Sequence, residues 1–382
     1  MIKIEKIIPG GMGLGTDSNG KKIFFWNALP GEIVTEHDVT KHKSSYSEAI
    51  ATKIENHSPH RVEPLDPCFL STSPWQIMHY DYELLQKQEL VVEIFREHGI
   101  NIDVPEIITD GRDYYYRNKM EYALYWNNQT SKIELAFHQR SSHRKIPITR
   151  SSIESPELFN RATEIIAGLN SRGEQARKYQ SLLLRCNQEG QVSGGLYENH
   201  QPHPQFPPLT DSLLGRQYSY SPNGFFQINL PVYELALKEI KKHITTNEVL
   251  DLYAGVGTIG LSTAPTHHLT LVESDKSAYK ELINNSKNIK NILAILDKSE
   301  NILKNIKSTQ TVIIDPPRAG CDKKLIERLL EVRPVKIIYL SCNPSTQARD
   351  LKLLLNKYQI EKIKIFNFFP HTPHIENLAI LS

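Results

Sequence analysis

The chain of 382 residues carries 45 lysines and arginines against 43 aspartates and glutamates, so its formal net charge is only +2. This balance excludes a global basic field that would attract nucleic acid, and any basic surface must be local. The hydrophobic share of 39% and the charged share of 23% are ordinary for a globular protein, and the length predicts two or three domains.

No apolar run approaches the length of a membrane span, and the first residues do not resemble a signal peptide. Because no apolar run is long enough, we expect no membrane partner. The four cysteines form no C-x-x-C pair, so we also expect no disulfide scaffold. A reducing, cytoplasmic location is the default expectation, and we expect a monomer.

Residues 1–57 predict a small β domain, because short apolar runs alternate with glycine- and proline-containing turns. One interpretation is an OB-type barrel that holds RNA, and the other is a structural barrel without a ligand. Lysines and aspartates or glutamates balance in this region, so charge does not favour the RNA interpretation.

Residues 58–225 predict a proline-containing linker over 58–75, a helix over Gln76–His98 and a central α+β domain. Within that domain, residues 139–150 contain cations and no acidic residue, among them Arg140, Arg144 and Lys145. Tyrosines precede them, and cations beside aromatic rings are typical of looped or single-stranded RNA sites. A solvated basic face with the tyrosines in the core is an equally good interpretation.

From Leu230 onward, strand-like and helix-like segments alternate, which predicts a mostly parallel seven-stranded sheet with helices packed on it. Ligands of such α/β folds bind at the carboxyl ends of the strands. Only about nine residues separate the last two strands. That is too short for a parallel crossover, so the last strand should run antiparallel.

Residues 249–261 predict a strand, a glycine turn and a helix start, with Gly255, Gly257 and Gly260 in G-x-G-x-x-G spacing. Glu273 ends the next strand, where an acidic residue suits a ribose diol. Asp251 would repel a pyrophosphate but would attract a cation. The combination favours S-adenosylmethionine over NAD, with a purely structural turn as the alternative.

Three further strand ends converge on this edge. Asp315 precedes two prolines, Cys342 precedes a helix that we expect Ser345 to cap, and Glu376 begins the last strand. A helix N-terminus lowers the pKa of a thiol, although a cysteine is often simply a small buried hydrophobe. His371 and His374 lack the spacing of a metal motif, so we predict a structural role and no metal site.

A thiolate and a carboxylate beside a methyl donor are what methylation of uracil C5 requires. Thiolate addition at C6 makes C5 nucleophilic, and a base must then remove the C5 proton. Methylation of adenine or guanine nitrogen needs no cysteine and is one alternative. A non-catalytic RNA-binding protein that retains the fold is another.

Five motifs in the same order resemble those of the RNA uracil-C5 methyltransferase family. They are Phe225–Asn229, Asp251–Leu261, Asp315–Arg318, Ser341–Pro344 and Phe369–Glu376. The N-terminal part resembles the family's TRAM domain. The resemblance implies a TRAM domain over 1–57, a linker, helix and central RNA-binding domain over 58–225, and a Rossmann-like class I methyltransferase domain over 226–382.

The same resemblance implies Cys342 as nucleophile and Glu376 as base, with product 5-methyluridine in 23S rRNA or, less favoured, tRNA. Phe225, which would stack on a flipped uracil, and Arg318 would contact the substrate. The implied cofactor contacts are Gln227, Tyr253, Gly255, Gly257, Thr258, Glu273, Asp297 and Asp315.

One departure concerns the iron–sulfur cluster that many relatives hold on four cysteines. Cys68 resembles the first ligand, but residues 69–76 contain no cysteine, and Ser151 stands where the central-domain cysteine would be. Four thiolates are the usual ligand set, so we predict no cluster.

Overall fold

Alternation of buried and exposed side chains rolls the N-terminal strands into a closed barrel, in which Ile4, Phe25 and Val34 form part of the core. The computed structural model describes residues 1–382. The barrel confirms the predicted OB-type fold, and its strand order is β1-β2-β3-β5-β4. The strands are β1 (Ile2–Ile7), β2 (Gly13–Thr16), β3 (Lys22–Trp26), β4 (Ile33–His42) and β5 (Tyr46–Glu55).

The segment predicted as a linker is packed rather than exposed. It contains the short helix α1 (Phe69–Thr72), and Trp75 at its end is buried with its indole Nε1 donating to the Gly11 carbonyl at 2.9 Å. The predicted helix over 76–98 forms as α2 (Tyr80–Glu97), which packs into the same core as the helices on one face of the large sheet.

The central region forms a five-stranded antiparallel sheet in the order β11-β10-β7-β8-β9, covered by α3 (Pro156–Ser171). Tyr116 and Tyr122 are buried, so the core interpretation holds for them, whereas Tyr115 is 57% exposed. The strands after the barrel are β6 (Glu106–Ile108), β7 (Lys119–Asn127), β8 (Lys132–His138), β9 (Lys145–Pro147), β10 (Tyr179–Cys186), β11 (Val192–Glu198), β12 (Leu209–Leu213) and β13 (Arg216–Tyr220).

The remaining chain forms a mixed sheet with helices on both faces. Its strands are β14 (Glu248–Leu252), β15 (His268–Glu273), β16 (Ile292–Leu296), β17 (Thr311–Ile314), β18 (Lys336–Ser341), β19 (Ile360–Phe366) and β20 (Glu376–Leu381). Its helices are α4 (Leu230–Lys242), α5 (Thr258–Thr263), α6 (Lys276–Ser286), α7 (Lys323–Val332) and α8 (Pro344–Leu354). These elements confirm the predicted α/β class.

The order of this sheet is β16-β15-β14-β17-β18-β20-β19-β6. Strands β14 to β18 are parallel, and β20 runs antiparallel between β18 and β19, as its short connection predicted. All seven predicted strands form, and β6, from the middle of the chain, adds an eighth strand parallel to β19 that the sequence did not predict. Three residues are too few for a visible alternation.

None of the helices combines the length and the apolar character that crossing a bilayer requires.

Candidate active site

The glycine turn after β14 is built from residues in the left-handed region. Tyr253, Gly255 and Gly257 have φ angles of 63°, 57° and 89°, and Gly257 lies at the N-terminal cap of α5. A Cβ on Gly257 would lie 2.5 Å from the Leu282 side chain, so this position requires glycine. The turn therefore brings backbone close to the carboxyl end of the sheet.

Glu273 ties this turn to the end of β15. Its two carboxylate oxygens accept hydrogen bonds from the backbone N–H groups of Gly255, at 2.7 Å, and Asp275, at 2.6 Å. Because each oxygen has a second lone pair, the carboxylate can still accept from a ligand hydroxyl.

Asp251 is the buried carboxylate beneath the turn. Its Oδ2 accepts from the Gly260 N–H at 2.8 Å, while its Oδ1 has no hydrogen-bond partner. Burial, followed by the charges of Asp315 and Glu273, raises its pKa to about 8. An unpartnered buried oxygen next to other carboxylates is electrostatically matched to a cation.

A cleft of about 670 Å³ opens beside Glu273 at this edge. Tyr253, Glu273 and Asp297 line it, and the Asp297 carboxylate accepts from the Lys298 N–H and the Asn301 amide, both at 2.7 Å. The structure thus brings these three predicted cofactor residues together around one cleft.

Two other predicted cofactor residues lie buried, and a predicted substrate residue lies exposed. Thr258 and Gln227 are 5% and 6% exposed, and the Gln227 carbonyl accepts from the Asn118 amide at 3.2 Å. Phe225 is 73% exposed, which is unusual for a large aromatic side chain. Its ring is therefore free to contact another molecule.

The thiol and the last carboxylate meet at the end of a strand pair. Ser341 of β18 pairs with Asn377 of β20, so the next residues along each strand, Cys342 and Glu376, lie opposite each other. The cap of α8 differs from expectation: Asn343, not Ser345, is the cap, and its side chain accepts from the Ser345 N–H at 3.2 Å. Asn343 precedes Pro344, which favours a helix start at this point.

Electrostatics at Cys342 contradict the expected low thiol pKa. Burial, followed by the carboxylates of Glu376 and Asp315, raises the pKa of the thiol to about 11, and Arg318 opposes this by charge and hydrogen bonding. Burial also raises the pKa of Asp315 to about 7. The pKa of Glu376 is well above its usual value because of burial and then Asp315. Two acids and one thiol crowd this corner, and Arg318 is the cation that faces them.

A cavity of about 320 Å³ surrounds Cys342. Within its wall, the Arg318 guanidinium contacts His374 Nδ1 at 2.7 Å, which links the loop after β17 to the loop before β20. The lining comes from the barrel, the segment before α2, α2 itself, the central sheet and the large sheet: Pro9, Gly10, Trp26, Thr72, Pro74, Leu90, Ile94, Arg140, Arg318, Cys342, Asn343, Pro344, Ser345, Thr372, Pro373, His374 and Ile375.

The three basic residues expected to contact RNA are separated by the fold. Arg140 lies 4.2 Å over the Trp26 ring, donates from Nε to the Leu70 carbonyl and lines the Cys342 cavity. Lys145 donates to the Leu124 carbonyl at 2.9 Å, and Arg144 is exposed. Trp26, which the sequence did not single out, thus holds one predicted cation at the cavity.

The residues around Cys68 do not fit a four-thiolate cluster. Cys68 is buried. Burial, followed by the carboxylates of Asp66 and Glu154, raises the pKa of its thiol to about 11. Ser151 supplies a buried hydroxyl without a hydrogen-bond partner, in place of a sulfur ligand. One thiol among carboxylates and hydroxyls is not an iron–sulfur donor set, and the absence of a cluster stays a prediction.

Comparison with known proteins identifies the family of the chain. The family profile described as tRNA (Uracil-5-)-methyltransferase matches residues 212–382. An uncharacterized RNA methyltransferase of Staphylococcus aureus is 30% identical over 424 residues, covering 94% of this chain and 93% of the relative. Another from Bacillus cereus is 28% identical over 450 residues, covering 100% of this chain and 96% of the relative.

Among solved structures, the Pyrococcus abyssi tRNA (uracil-54, C5)-methyltransferase in complex with S-adenosyl-L-homocysteine has the same fold. The match has a TM-score of 0.78 at 23% identity and covers 100% of both chains. The chain therefore belongs to the tRNA (uracil-5-)-methyltransferase family and is an RNA methyltransferase.

Proposed function

We propose that the protein transfers a methyl group from S-adenosylmethionine to C5 of a uridine in RNA through a covalent adduct on Cys342. The observation that carries the proposal is the placement of Cys342 opposite Glu376 at the end of the β18–β20 pair, with Cys342 at the wall of a cavity. Nucleophile and base must both reach the same pyrimidine ring, one at C6 and the other at C5.

The residues at the turn after β14 fit the cofactor. Glu273 would accept from the ribose hydroxyls, and Tyr253 and Asp297 would line the nucleoside. The buried Asp251 carboxyl group, whose Oδ1 has no hydrogen-bond partner, would be stabilised by the charge of an ammonium group. Gly255, Gly257 and Thr258 shape the turn, and Gln227 and Asp315 complete the set. The bound cofactor supplies an electrophilic methyl group on a sulfonium.

The chain's own residues would carry the remaining steps. Cys342 ionises, its proton passes to solvent, and the thiolate forms an S–C6 bond while the C5–C6 π electrons move onto O4 as an enolate. C5 of the enolate would then be nucleophilic enough to accept the methyl group that S-adenosylmethionine would supply, and the cofactor would keep the electron pair of the broken bond. Glu376 then removes the C5 proton, the C5–C6 double bond re-forms, and the thiolate leaves.

The raised pKa of Glu376 suits proton removal, whereas the raised pKa of Cys342 opposes thiolate formation and is offset in part by Arg318. A carboxyl group with a raised pKa is a stronger base once ionised, which helps Glu376 remove a carbon-bound proton. Arg318 lowers the pKa of Cys342, so the guanidinium favours the thiolate that must attack. Phe225, the exposed first residue of the Phe225–Asn229 motif, would stack on the uracil.

The decisive experiment uses RNA with 5-fluorouridine, whose fluorine cannot leave as a proton. Wild type should form an RNA–protein adduct that survives denaturing electrophoresis, and Cys342→Ala should form none. An active Cys342→Ala enzyme would instead support nitrogen methylation of adenine or guanine. Cofactor binding without any turnover would support the non-catalytic alternative.

The RNA class requires a separate assay. Our sequence-based expectation favours 23S rRNA, whereas the family profile and the Pyrococcus abyssi enzyme are both named for tRNA. Mass mapping of 5-methyluridine in both RNAs, from cells with and without the protein, distinguishes the two. Loss of the modification from one class alone identifies the substrate.

A further inference from the structure

Helix α2 contains a fully buried ion pair that the proposed reaction does not use. Lys87 and Glu83 lie one helical turn apart, both side chains are 0% exposed, and Lys87 Nζ lies 2.7 Å from Glu83 Oε1. Burial lowers the pKa of Lys87, and Glu83 opposes that shift. Replacing a buried pair by apolar residues is often neutral or stabilising, so stability alone does not explain the charges.

Both charges are directed at the loop between β19 and β20. Lys87 Nζ donates to Asn367 Oδ1 at 2.7 Å and to the Phe369 carbonyl at 3.1 Å. Glu83 Oε2 accepts from the backbone N–H of His371 at 2.8 Å. The pair thus supplies one donor and one acceptor to loop backbone and a second donor contact to a loop side chain.

Other buried groups hold the same loop from outside the large sheet. The backbone N–H of Trp75 donates to the His371 carbonyl at 3.0 Å, and the Tyr116 hydroxyl donates to the Pro370 carbonyl at 2.9 Å. His371 itself has a φ of 59°, and its ring lies between the carboxylates of Glu83, at 3.6 Å, and Asp113, at 3.4 Å. A non-glycine residue in this conformation persists when its surroundings determine it.

The held loop borders the candidate site on two sides. It leads directly into β20, whose first residue is Glu376, and its residues Thr372, Pro373 and His374 line the cavity around Cys342. His374 also contacts Arg318, the cation that faces the thiol. A small displacement of this loop would therefore move the base relative to the carbon whose proton it removes.

We infer that Glu83 and Lys87 are positioning residues that fix the loop 367–375 and thereby place Glu376 for proton removal from C5. This inference rests on the proposed function. Neither residue contacts the reacting atoms, and both lie on a helix outside the β14–β20 region that carries the candidate site. A misplacement of about 1 Å can slow a step about 100-fold.

The test separates adduct formation from adduct breakdown. Glu83→Gln/Lys87→Met removes both charges without leaving one of them buried alone, and Asn367→Ala removes the acceptor on the loop side. We expect addition to 5-fluorouridine RNA to change less than about threefold, and breakdown of the adduct on ordinary uridine RNA to slow about 10- to 100-fold. The adduct should then accumulate on gels.

Glu239→Gln is the matched control, because Glu239 is also a buried carboxylate, paired with Lys364 at 3.4 Å, but it does not contact the loop. Unchanged breakdown in both test variants would overturn the inference, as would an equal slowing of addition and breakdown. Slowed breakdown in Glu239→Gln would also overturn it, by showing a general effect of instability. If wild type forms no adduct at all, the proposed function fails instead.

Discussion

The two clefts at the edge of the large sheet differ in what builds them. The 670 Å³ cleft beside Glu273 is lined only by residues between Tyr253 and Asp322. The 320 Å³ cavity around Cys342 draws its walls from the barrel, α2, the central sheet and the large sheet. One cleft is confined to the ends of neighbouring strands of the large sheet, and the other requires segments from all parts of the chain.

The difference shows where the two kinds of specificity reside. If the first cleft holds the cofactor as proposed, its lining depends only on the large-sheet region between Tyr253 and Asp322. If the second cavity receives the RNA base as proposed, its shape depends on the packing of distant segments against one another. Variants in one cleft should therefore leave the other largely intact.

The largest effect should come from Glu376→Gln. Loss of a general base typically slows a step about 10²- to 10⁴-fold, so turnover should fall by that factor while a Cys342-linked adduct accumulates on uridine RNA. Calorimetric affinity for S-adenosylmethionine should change less than about twofold, because Glu376 does not line the other cleft. Loss of turnover without any adduct would contradict the assigned role.

The converse variant is Glu273→Ala. Hydrogen bonds to a charged group contribute about 1–3 kcal/mol, so the Kd for S-adenosylmethionine should rise about 5- to 150-fold. Glu281→Ala on α6, which lies outside the cleft lining, is the control and should bind normally. Unchanged calorimetric affinity of Glu273→Ala would remove Glu273 from the ribose site.

Arg140→Ala and Arg144→Ala sharpen the comparison on the RNA side. Arg140 is held at the Cys342 cavity by Trp26, whereas Arg144 is exposed on the central sheet. We expect Arg140→Ala to weaken RNA binding about fivefold and to lower the slope of log affinity against log salt by about 1. Arg144→Ala should weaken RNA binding less. Equal effects of the two substitutions would show that the position of Arg140 at the cavity makes no difference to RNA binding.

An effect of similar size to that of Arg140→Ala concerns thiol reactivity in Arg318→Met. Arg318 lowers the pKa of Cys342, so its loss raises that pKa and reduces the thiolate fraction at any pH below it. Alkylation by iodoacetamide should rise with pH toward the thiol pKa near 11 and, at pH 8, should be roughly 3- to 10-fold slower in the variant. Cys342 is the most accessible cysteine, so the label reports on it. An identical pH profile would contradict the contact's role.

Much of the large sheet was predictable because its signals are local. The glycine turn, the acidic end of β15 and the short connection before β20 each follow from a few adjacent residues. The buried pair of Glu83 and Lys87 was not predictable, since charged residues on a helix usually face solvent. The raised pKa of Cys342 was not predictable either, because it depends on burial and on Glu376 and Asp315, which only the fold brings near the thiol.

The basic stretch over residues 139–150 shows that residues alike in sequence can have different surroundings in the fold. Arg140, Arg144 and Lys145 look equivalent in the sequence, yet one stacks on Trp26, one is exposed and one bonds a strand carbonyl. Nothing near these residues in the chain distinguishes them, because Trp26 and Leu70 come from remote segments. Motif residues were therefore easier to place than surface cations.

The position of β20 has a consequence for the order of assembly during translation. β20 pairs with β18 on one side and β19 on the other, although it is synthesised after both. β18 and β19 therefore cannot occupy their final positions in the sheet until β20 has been synthesised. β6 lies more than 250 residues before its partner β19 in the chain. Such long-range pairings form slowly. A nascent chain could acquire the glycine turn early, but the Cys342–Glu376 corner is completed only after β20 has been synthesised.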